Sequence, residues 1–516
     1  MQLRTVLVAS LALGGLYGSA CGSLSSAVPG ATDGGRTDDD GSTADAVRWL
    51  GDSGAPTFRA LDPVPNQEQK RNADAALRLR VLIHSVSSGG SAVSGESIVY
   101  QVPADAGSYQ SGSEAFHWTA QMGTVGLGFL PECDRHDPLL SSSEASAMSS
   151  DGLVVLGSCT AMTGSPLFRW TRASGIVLVD PPAGLPDARW TAISSDGAVA
   201  LGIASSAISN PTQSSRPFRW TPATGAVALS ALAGNNFSDA RGGMTSDGKV
   251  IVGTSGGVIY RWTEATGMVA LPKPTGYDRC NPSRRTAAAG MIIAGRCTNG
   301  TANGDQYFRW MGTSAPSKLS LPTGAVAIDD PAISDDGAII FGGWRDANHH
   351  LRGFRWTEST GTVDIGLPDY TSCTVQDWPH ATASSDAKVV IGSCSTLLDG
   401  GTLKRMAFRW MEGSGTFCLP PLAGDVGTTA DSVSADGAIL AGQSLSSDPN
   451  KPTYAAVIWD ASGKAISIAD MLTSFGIDLQ GLKLESASIS PTDSHVVWGH
   501  GTNADGERRG WIARLP

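Results

Sequence analysis

The chain has 516 residues, a formal net charge of −11 and only 16% charged residues. An acidic chain without clustered Lys and Arg argues against nucleic acid as a partner, because phosphate binding draws on grouped cations. Its length and 41% apolar content suffice for a large core, and its one long apolar run lies at the N-terminus.

In that segment Arg4 is the only charged residue before the apolar stretch Val6 to Leu16. The stretch is too short to span a bilayer stably and has the form of a secretory signal peptide, residues 1–20. Gly18-Ser19-Ala20-Cys21 resembles a lipobox, which makes Cys21 the acylated first residue of the mature chain. Gly18 stands where Leu is usual, and plain cleavage after Ala20 is the alternative. Residues 21–76 read as the lipidated Cys and a flexible tether rich in Ser, Gly and Asp, with too few large apolar residues in its first half to fold. A short mixed-charge helix is expected from Gln67 to about Ala76. Two strands are expected from Leu77 to Val102, where they belong to the closure of the repeat region downstream.

From there a strand-like phrase recurs: Phe116-His117-Trp118, Phe168-Arg169-Trp170, Phe218-Arg219-Trp220, Tyr260-Arg261-Trp262, Phe308-Arg309-Trp310, Phe354-Arg355-Trp356, Phe408-Arg409-Trp410, Val457-Ile458-Trp459 and Gly510-Trp511. Trp118 to Trp511 makes eight steps of roughly 49 residues, in the range of propeller blades. Period-two alternation places the aromatics on one strand face and Arg on the other. A ring of Arg is therefore available, although pairing with Asp on neighbouring turns is the preferred reading.

A second phrase alternates with the first: Ser149-Ser150-Asp151-Gly152, Ser194-Ser195-Asp196-Gly197, Thr245-Ser246-Asp247-Gly248, Ser334-Asp335-Asp336-Gly337 and Ser434-Ala435-Asp436-Gly437, with a degenerate copy at Ser384-Ser385-Asp386-Ala387. Asp-Gly between short apolar runs signals a hairpin, expected as type I′. With a Thr-x-x-x-Gly turn after each Trp strand, every unit has four strands. The expected fold is all-β: a β-propeller of four-stranded antiparallel blades over residues 77–516. Eight blades closed by pairing of the chain ends are favoured, with seven and nine as alternatives and Trp511 read as an extra C-terminal strand.

These phrases resemble the HAF-type extracellular repeat proteins, over roughly residues 115 to 516. The closing segment is similar to that family's last unit: Phe475-Gly476-Ile477-Asp478-Leu479, Ala487-Ser488-Ile489-Ser490, Gly501-Thr502-Asn503 and Gly510-Trp511-Ile512-Ala513-Arg514-Leu515-Pro516. No copy keeps the His before Ala-Phe that the family name describes. The resemblance implies an exported bacterial repeat protein of unsettled activity, here an outer-membrane or cell-surface lipoprotein or, alternatively, a secreted or periplasmic protein.

Six cysteines occupy equivalent places in three units, giving the pairs Cys133–Cys159, Cys280–Cys297 and Cys373–Cys394 in an oxidising compartment. Cys418 is left as a buried free thiol. No metal-ligand spacing is present, so neither metal nor cofactor is expected.

In an up-and-down blade the two kinds of short turn share one end, and the variable loops share the other. Binding residues concentrate on variable loops held by a rigid scaffold. The candidate binding face is therefore the loop end, with Asp134, His136, Trp190, Tyr277, Trp344, Arg345, His349, Tyr370, Trp378 and His380; Asp278 and Arg279 accompany Tyr277. Exposed aromatics among Asp, Arg and His suit a sugar polymer or a protein loop. The expected function is a non-catalytic, monomeric binding scaffold for a cell-envelope polysaccharide or protein, touching the membrane only through its lipid. The alternative is an enzyme acting on an extracellular glycan from the same face. Repetition favours the first, since a catalytic group is needed only once.

Overall fold

Every Asp-Gly phrase closes its hairpin with the same bonds. In the copy at Ser149 the hydroxyl donates to Asp151 Oδ1 at 2.6 Å, that oxygen accepts from Leu153 N–H at 2.9 Å, and Val154 N–H donates to Ser149 Oγ at 3.0 Å. The set recurs at Ser194, Thr245, Ser334, Ser384 and Ser434. Positive φ occurs at the glycine and not at the Asp before it, 75° at Gly152. The turns are therefore not type I′; in each the Asp carboxylate accepts from the N–H two residues on, as in an Asx turn.

The computed structural model describes residues 55–74, 76–101, 111–137, 139–162, 164–206, 215–284, 287–301, 304–327, 330–346, 351–366, 382–397, 403–448 and 453–516. The signal peptide, Cys21 and the tether up to residue 54 lie outside them. So do Cys373, His349, Tyr370, Trp378 and His380.

Strands pair with their sequence neighbours into eight antiparallel sheets, seven of four or five strands and one of nine. Unit 2 is typical, with strands Ser143–Met148, Val154–Cys159, Leu167–Thr171 and Gly175–Val179. First strands of neighbouring sheets approach one another whereas fourth strands do not, so the sheets radiate from an axis lined by first strands. This is a β-propeller.

Eight sheets match the favoured count, but the nine-stranded sheet holds two repeat units. Unit 1 contributes Leu77–Val86, Ala92–Gln101, Ser111–Thr119 and Gly123–Gly126. Unit 9 contributes Lys483–Leu484, Ser488–Ile489, Val496–Thr502 and Arg508–Arg514. They meet at a single parallel bridge, Arg80 to Arg508. Trp511 thus belongs to a complete unit, whose outer strand is Thr57–Ala60, paired from Thr57–Arg514 to Ala60–Trp511. The ring closes by pairing its two ends, as expected, and contains nine units.

Packing between units repeats around the whole circle. Nine apolar clusters each join one unit to the next, from Phe168 and Ala115 between units 1 and 2 to Trp511 and Ile458 between units 8 and 9. The ninth, with Val81, Phe116, Val496 and Ile512, closes unit 9 onto unit 1. A Cβ on Gly197 would lie 2.5 Å from Val154 of the preceding unit, and one on Gly90 of unit 1 would lie 2.6 Å from Val496 of unit 9. The same close approach holds at the seam as elsewhere.

In units 2 to 7 the repeated Arg ties its unit to the next. Arg261 Nε donates to Gly290 O at 2.9 Å and Arg409 to Gly437 O at 3.0 Å. Arg169 lies 5.6 Å over the ring of Trp220 and Arg309 5.3 Å over Trp356. Ion pairs join Arg309 to Glu358 at 2.9 Å and Arg355 to Glu412 at 3.1 Å. These partners replace the expected turn Asp: Arg261 and Arg409 reach the glycine carbonyl of the next turn and Arg355 reaches Ala387 O, while Arg309 and Arg355 pair with Glu. With Arg committed in this way, the turn end carries no free basic ring among the described residues.

Part of the stretch read from the sequence as tether is structured. Residues from Thr57 are built into the ring, and the helix Pro65–Ala73 lies across its loop end. Cys133–Cys159 and Cys280–Cys297 are disulfides, as predicted. Cys418 is disulfide-bonded too, which corrects the free-thiol expectation. The side chain of Cys394, like Cys373, lies outside the described residues.

Candidate functional site

At the loop end the helix makes one sector closed. Asn66 donates to the buried Glu114 at 3.0 Å, Lys70 pairs with Asp137 at 2.7 Å, and Arg71 pairs with Asp505 at 2.8 Å and Glu507 at 3.2 Å. Glu507 is fully buried and also accepts from Leu79 N–H, Asn503 and Arg509. Units 9, 1 and 2 are thereby clasped, and their charges satisfy one another. Asp134 and His136 lie in this sector on the loop leading into unit 2. Asp134 accepts from His136 N–H at 2.8 Å, and the His136 side chain is 89% exposed.

Two predicted aromatics are packing residues. Trp190 is buried, its Nε1 donating to Gly157 O at 3.1 Å and its ring 5.3 Å from Phe218. Trp344 is buried in the cluster between units 5 and 6. Trp344 sits near the loop end of its strand and Trp190 midway along its own, both on the faces that meet the neighbouring unit. Arg345, one residue on, is exposed.

Across the ring from the clasp, unit 5 carries a polar cavity of about 280 Å³, lined by Arg279, Asn281, Arg296, Thr298 and Asp305. Its origin is strand alternation. Arg279 faces Thr298 and Asn281 faces Arg296 across the first two strands, whereas Cys280 and Cys297 pair between them and point to the opposite face as a disulfide. The half-buried ring of Tyr277 lies edge-on to Phe308 at 5.0 Å. Its hydroxyl pKa is raised, by burial and then by the charge of Asp305, but this predicted residue is not one of the described residues that line the cavity. Arg296 is answered by Asp305 at 3.0 Å and Asp330 at 3.7 Å. Arg279 is exposed and has no partner among the described residues.

Asn281, Arg296, Thr298 and Asp305 were not among the predicted site residues. The available signal was a substitution within the repeat: Gly295-Arg296-Cys297 stands where other units have Gly157-Ser158-Cys159 and Gly392-Ser393-Cys394.

A second polar group lies on the axis. The innermost strands skip one residue against their partners at His84, Ser146, Thr191 and Asp431. All four are exposed, because a bulge on an edge strand turns its extra side chain toward the unpaired side. Desolvation pushes the Asp431 carboxyl up to about 6, opposed by Arg405 and Gln443, although the residue still reaches solvent. His84 Nδ1 donates to Ala145 O at 2.7 Å and its Nε2 is 3.7 Å from Glu96. Burial raises the Glu96 carboxyl, with His84 opposing and Glu144 adding to the shift. His500, which accepts from Ile83 N–H at 3.2 Å, is lowered to about 4 by burial and by Arg508 and His84.

The architecture defines the class: a nine-unit β-propeller with an N-terminal strand closing the last unit. No known family matches the chain, and no curated protein matches it in sequence. Among solved structures it is similar to a prolyl endopeptidase at 12% identity, over 77% of this chain and 57% of that one, TM-score 0.40. It is also similar to dipeptidyl peptidase 4 of Porphyromonas gingivalis at 11%, over 86% and 59%, TM-score 0.44. A third is the β-propeller domain of the Trilobed protease from Pyrococcus furiosus at 10%, over 61% and 94%, TM-score 0.33. The chain spans under two thirds of the two peptidases, and likeness at these identities concerns the fold alone.

Proposed function

We propose that this protein is a non-catalytic binding scaffold of the cell envelope. It is exported by its N-terminal signal, held by a lipid on Cys21, and presents the loop end of a monomeric ring to an envelope polysaccharide. One observation carries this reading: the repeated Arg, Trp, Ser and Asp hold units together, while the polar cavity of unit 5 is built from side chains that occur once. Disulfides such as Cys133–Cys159 and Cys280–Cys297, and the lack of a helix long and apolar enough to cross a membrane among the described residues, are compatible with export.

The test is retention of the full chain on isolated envelope polysaccharide and, separately, on envelope protein fractions, scoring breakdown of the captured material. Retention on polysaccharide without breakdown supports the scaffold; retention on protein alone replaces the ligand class. Failure to retain either fraction refutes binding at the envelope.

A second reading is favoured by Glu96, whose carboxyl is raised beside His84 and near Glu144. Such an arrangement suits a proton donor in glycan cleavage. Breakdown of the polymer, lost in Glu96→Gln, selects this reading over the first.

A further inference from the structure

We infer that the cavity of unit 5 is a subsite for the carboxylate of an acidic sugar, an inference that rests on the polysaccharide reading above. Arg296 is already neutralised by Asp305 at 3.0 Å and Asp330 at 3.7 Å. It is held in place and brings no uncompensated charge. Arg279 is different: it lines the same cavity, is exposed, and has neither an ion pair nor a hydrogen bond from its side chain among the described residues. One free guanidinium, with donors in a planar fork, selects a single planar oxyanion.

The remaining lining sets the rest of the ligand. Asn281 and Thr298 each donate and accept, and Asp305 accepts. Sugar hydroxyls likewise do both. Among the described residues no apolar or aromatic side chain lines the cavity, so there it offers none of the anchors on which protein partners rely. A volume of about 280 Å³ lies at the lower edge of small-ligand sites, near 300 Å³, and suits one sugar unit. The net charge of −11 does not oppose this over distance, since exposed charges are screened beyond about 8 Å at physiological salt. The Cys280–Cys297 disulfide on the opposite face of the two strands holds Arg279 and Arg296 in register without using either.

Calorimetry and saturation-transfer NMR on the full chain test the assignment, with D-glucuronate, D-glucose and inorganic phosphate as probes and Arg279→Gln as the variant. The expected result is glucuronate binding that weakens about tenfold or more in Arg279→Gln, the loss of one charged hydrogen bond, with glucose weak and unaffected. The melting temperature of Arg279→Gln stays at the wild-type value, because the side chain makes no hydrogen bond or ion pair among the described residues. Phosphate binding as tight as glucuronate would overturn the sugar assignment and leave a general anion site. Unchanged glucuronate affinity in Arg279→Gln would overturn the role of Arg279. In either case wild-type retention on envelope polysaccharide would still stand, whereas loss of that retention would remove the scaffold reading itself.

Discussion

At the turn end of the ring, six units repeat one hairpin in which a Ser or Thr hydroxyl and an Asp carboxylate answer each other and the adjacent N–H groups. At the loop end, by contrast, unit 2 carries a disulfide and an exposed Asp134–His136 pair, unit 5 a disulfide and a cavity, and units 9 and 1 a helix and a buried Glu507. The turn end shows what a unit needs to hold its neighbour. The loop end shows what is left when that need has been met, and there the chain is free to differ from unit to unit.

The largest effect expected lies at the loop end. Glu507→Ala leaves Arg71 and Arg509 facing each other without their carboxylate and is expected to cost about 3–5 kcal/mol, as removal of one partner from a buried pair does. Urea denaturation measures this, and a loss below about 1 kcal/mol would mean that closure rests on the strand Thr57–Ala60 and the apolar seam alone.

Next come the turn glycines, where two positions of equal φ separate strain from packing. Gly197→Ala combines φ of 68° with a Cβ 2.5 Å from Val154 of the preceding unit and is expected to cost about 2–4 kcal/mol. Gly175→Ala has φ of 65° and open space, and is expected to cost only about 1–2 kcal/mol. Equal losses would show that units do not rely on the close approach. A smaller effect is expected for Ser434→Ala, which strips the donor from Asp436 and the acceptor from Ile439 N–H. About 1–3 kcal/mol is expected, and additivity with Asp436→Ala would refute the shared hairpin bonds.

The smallest effects concern pH, and the axis predicts two of opposite sign. The Asp431 carboxyl sits at about 6 against an ordinary 3.8, so the folded chain keeps a proton that the unfolded chain has lost. Its stabilisation is full below pH 3.8 and disappears as pH rises through 6. Asp431→Asn should therefore raise the melting temperature at pH 8 and leave it unchanged at pH 3.5. His500, at about 4 against 6.5, is held neutral in the fold. Its stabilisation is full above pH 6.5 and is lost as pH falls through 4, so His500→Gln should flatten the loss between those values. The reverse pattern in either variant would show that the side chain is not desolvated in the fold.

Much of the architecture was legible in the chain. Spacing of the Trp phrases and of Ser-x-Asp-Gly gave the propeller, the hairpins and the two ends, because a hairpin and a strand face are set by residues a few positions apart. Equivalence between units found Cys133–Cys159 and Cys280–Cys297 for the same reason. The count was harder: unit 9 is completed by Thr57–Ala60, more than 400 residues away in sequence, in a stretch whose composition looked like tether. Trp190 and Trp344 were chosen as loop-end aromatics, yet each turned toward the adjacent unit, since a large ring gains more from an apolar interface than from solvent.

The sequence by itself determined the repeat, the strand alternation and the turn chemistry, all of which act within one unit. Only the tertiary structure decided that nine units close, that Arg261 and Arg409 reach the next unit's glycine carbonyl, and that among the described residues Arg279 is left without a partner while Arg296 is not. Those outcomes depend on which surfaces meet once the ring is shut, and the distance between units along the chain does not encode them.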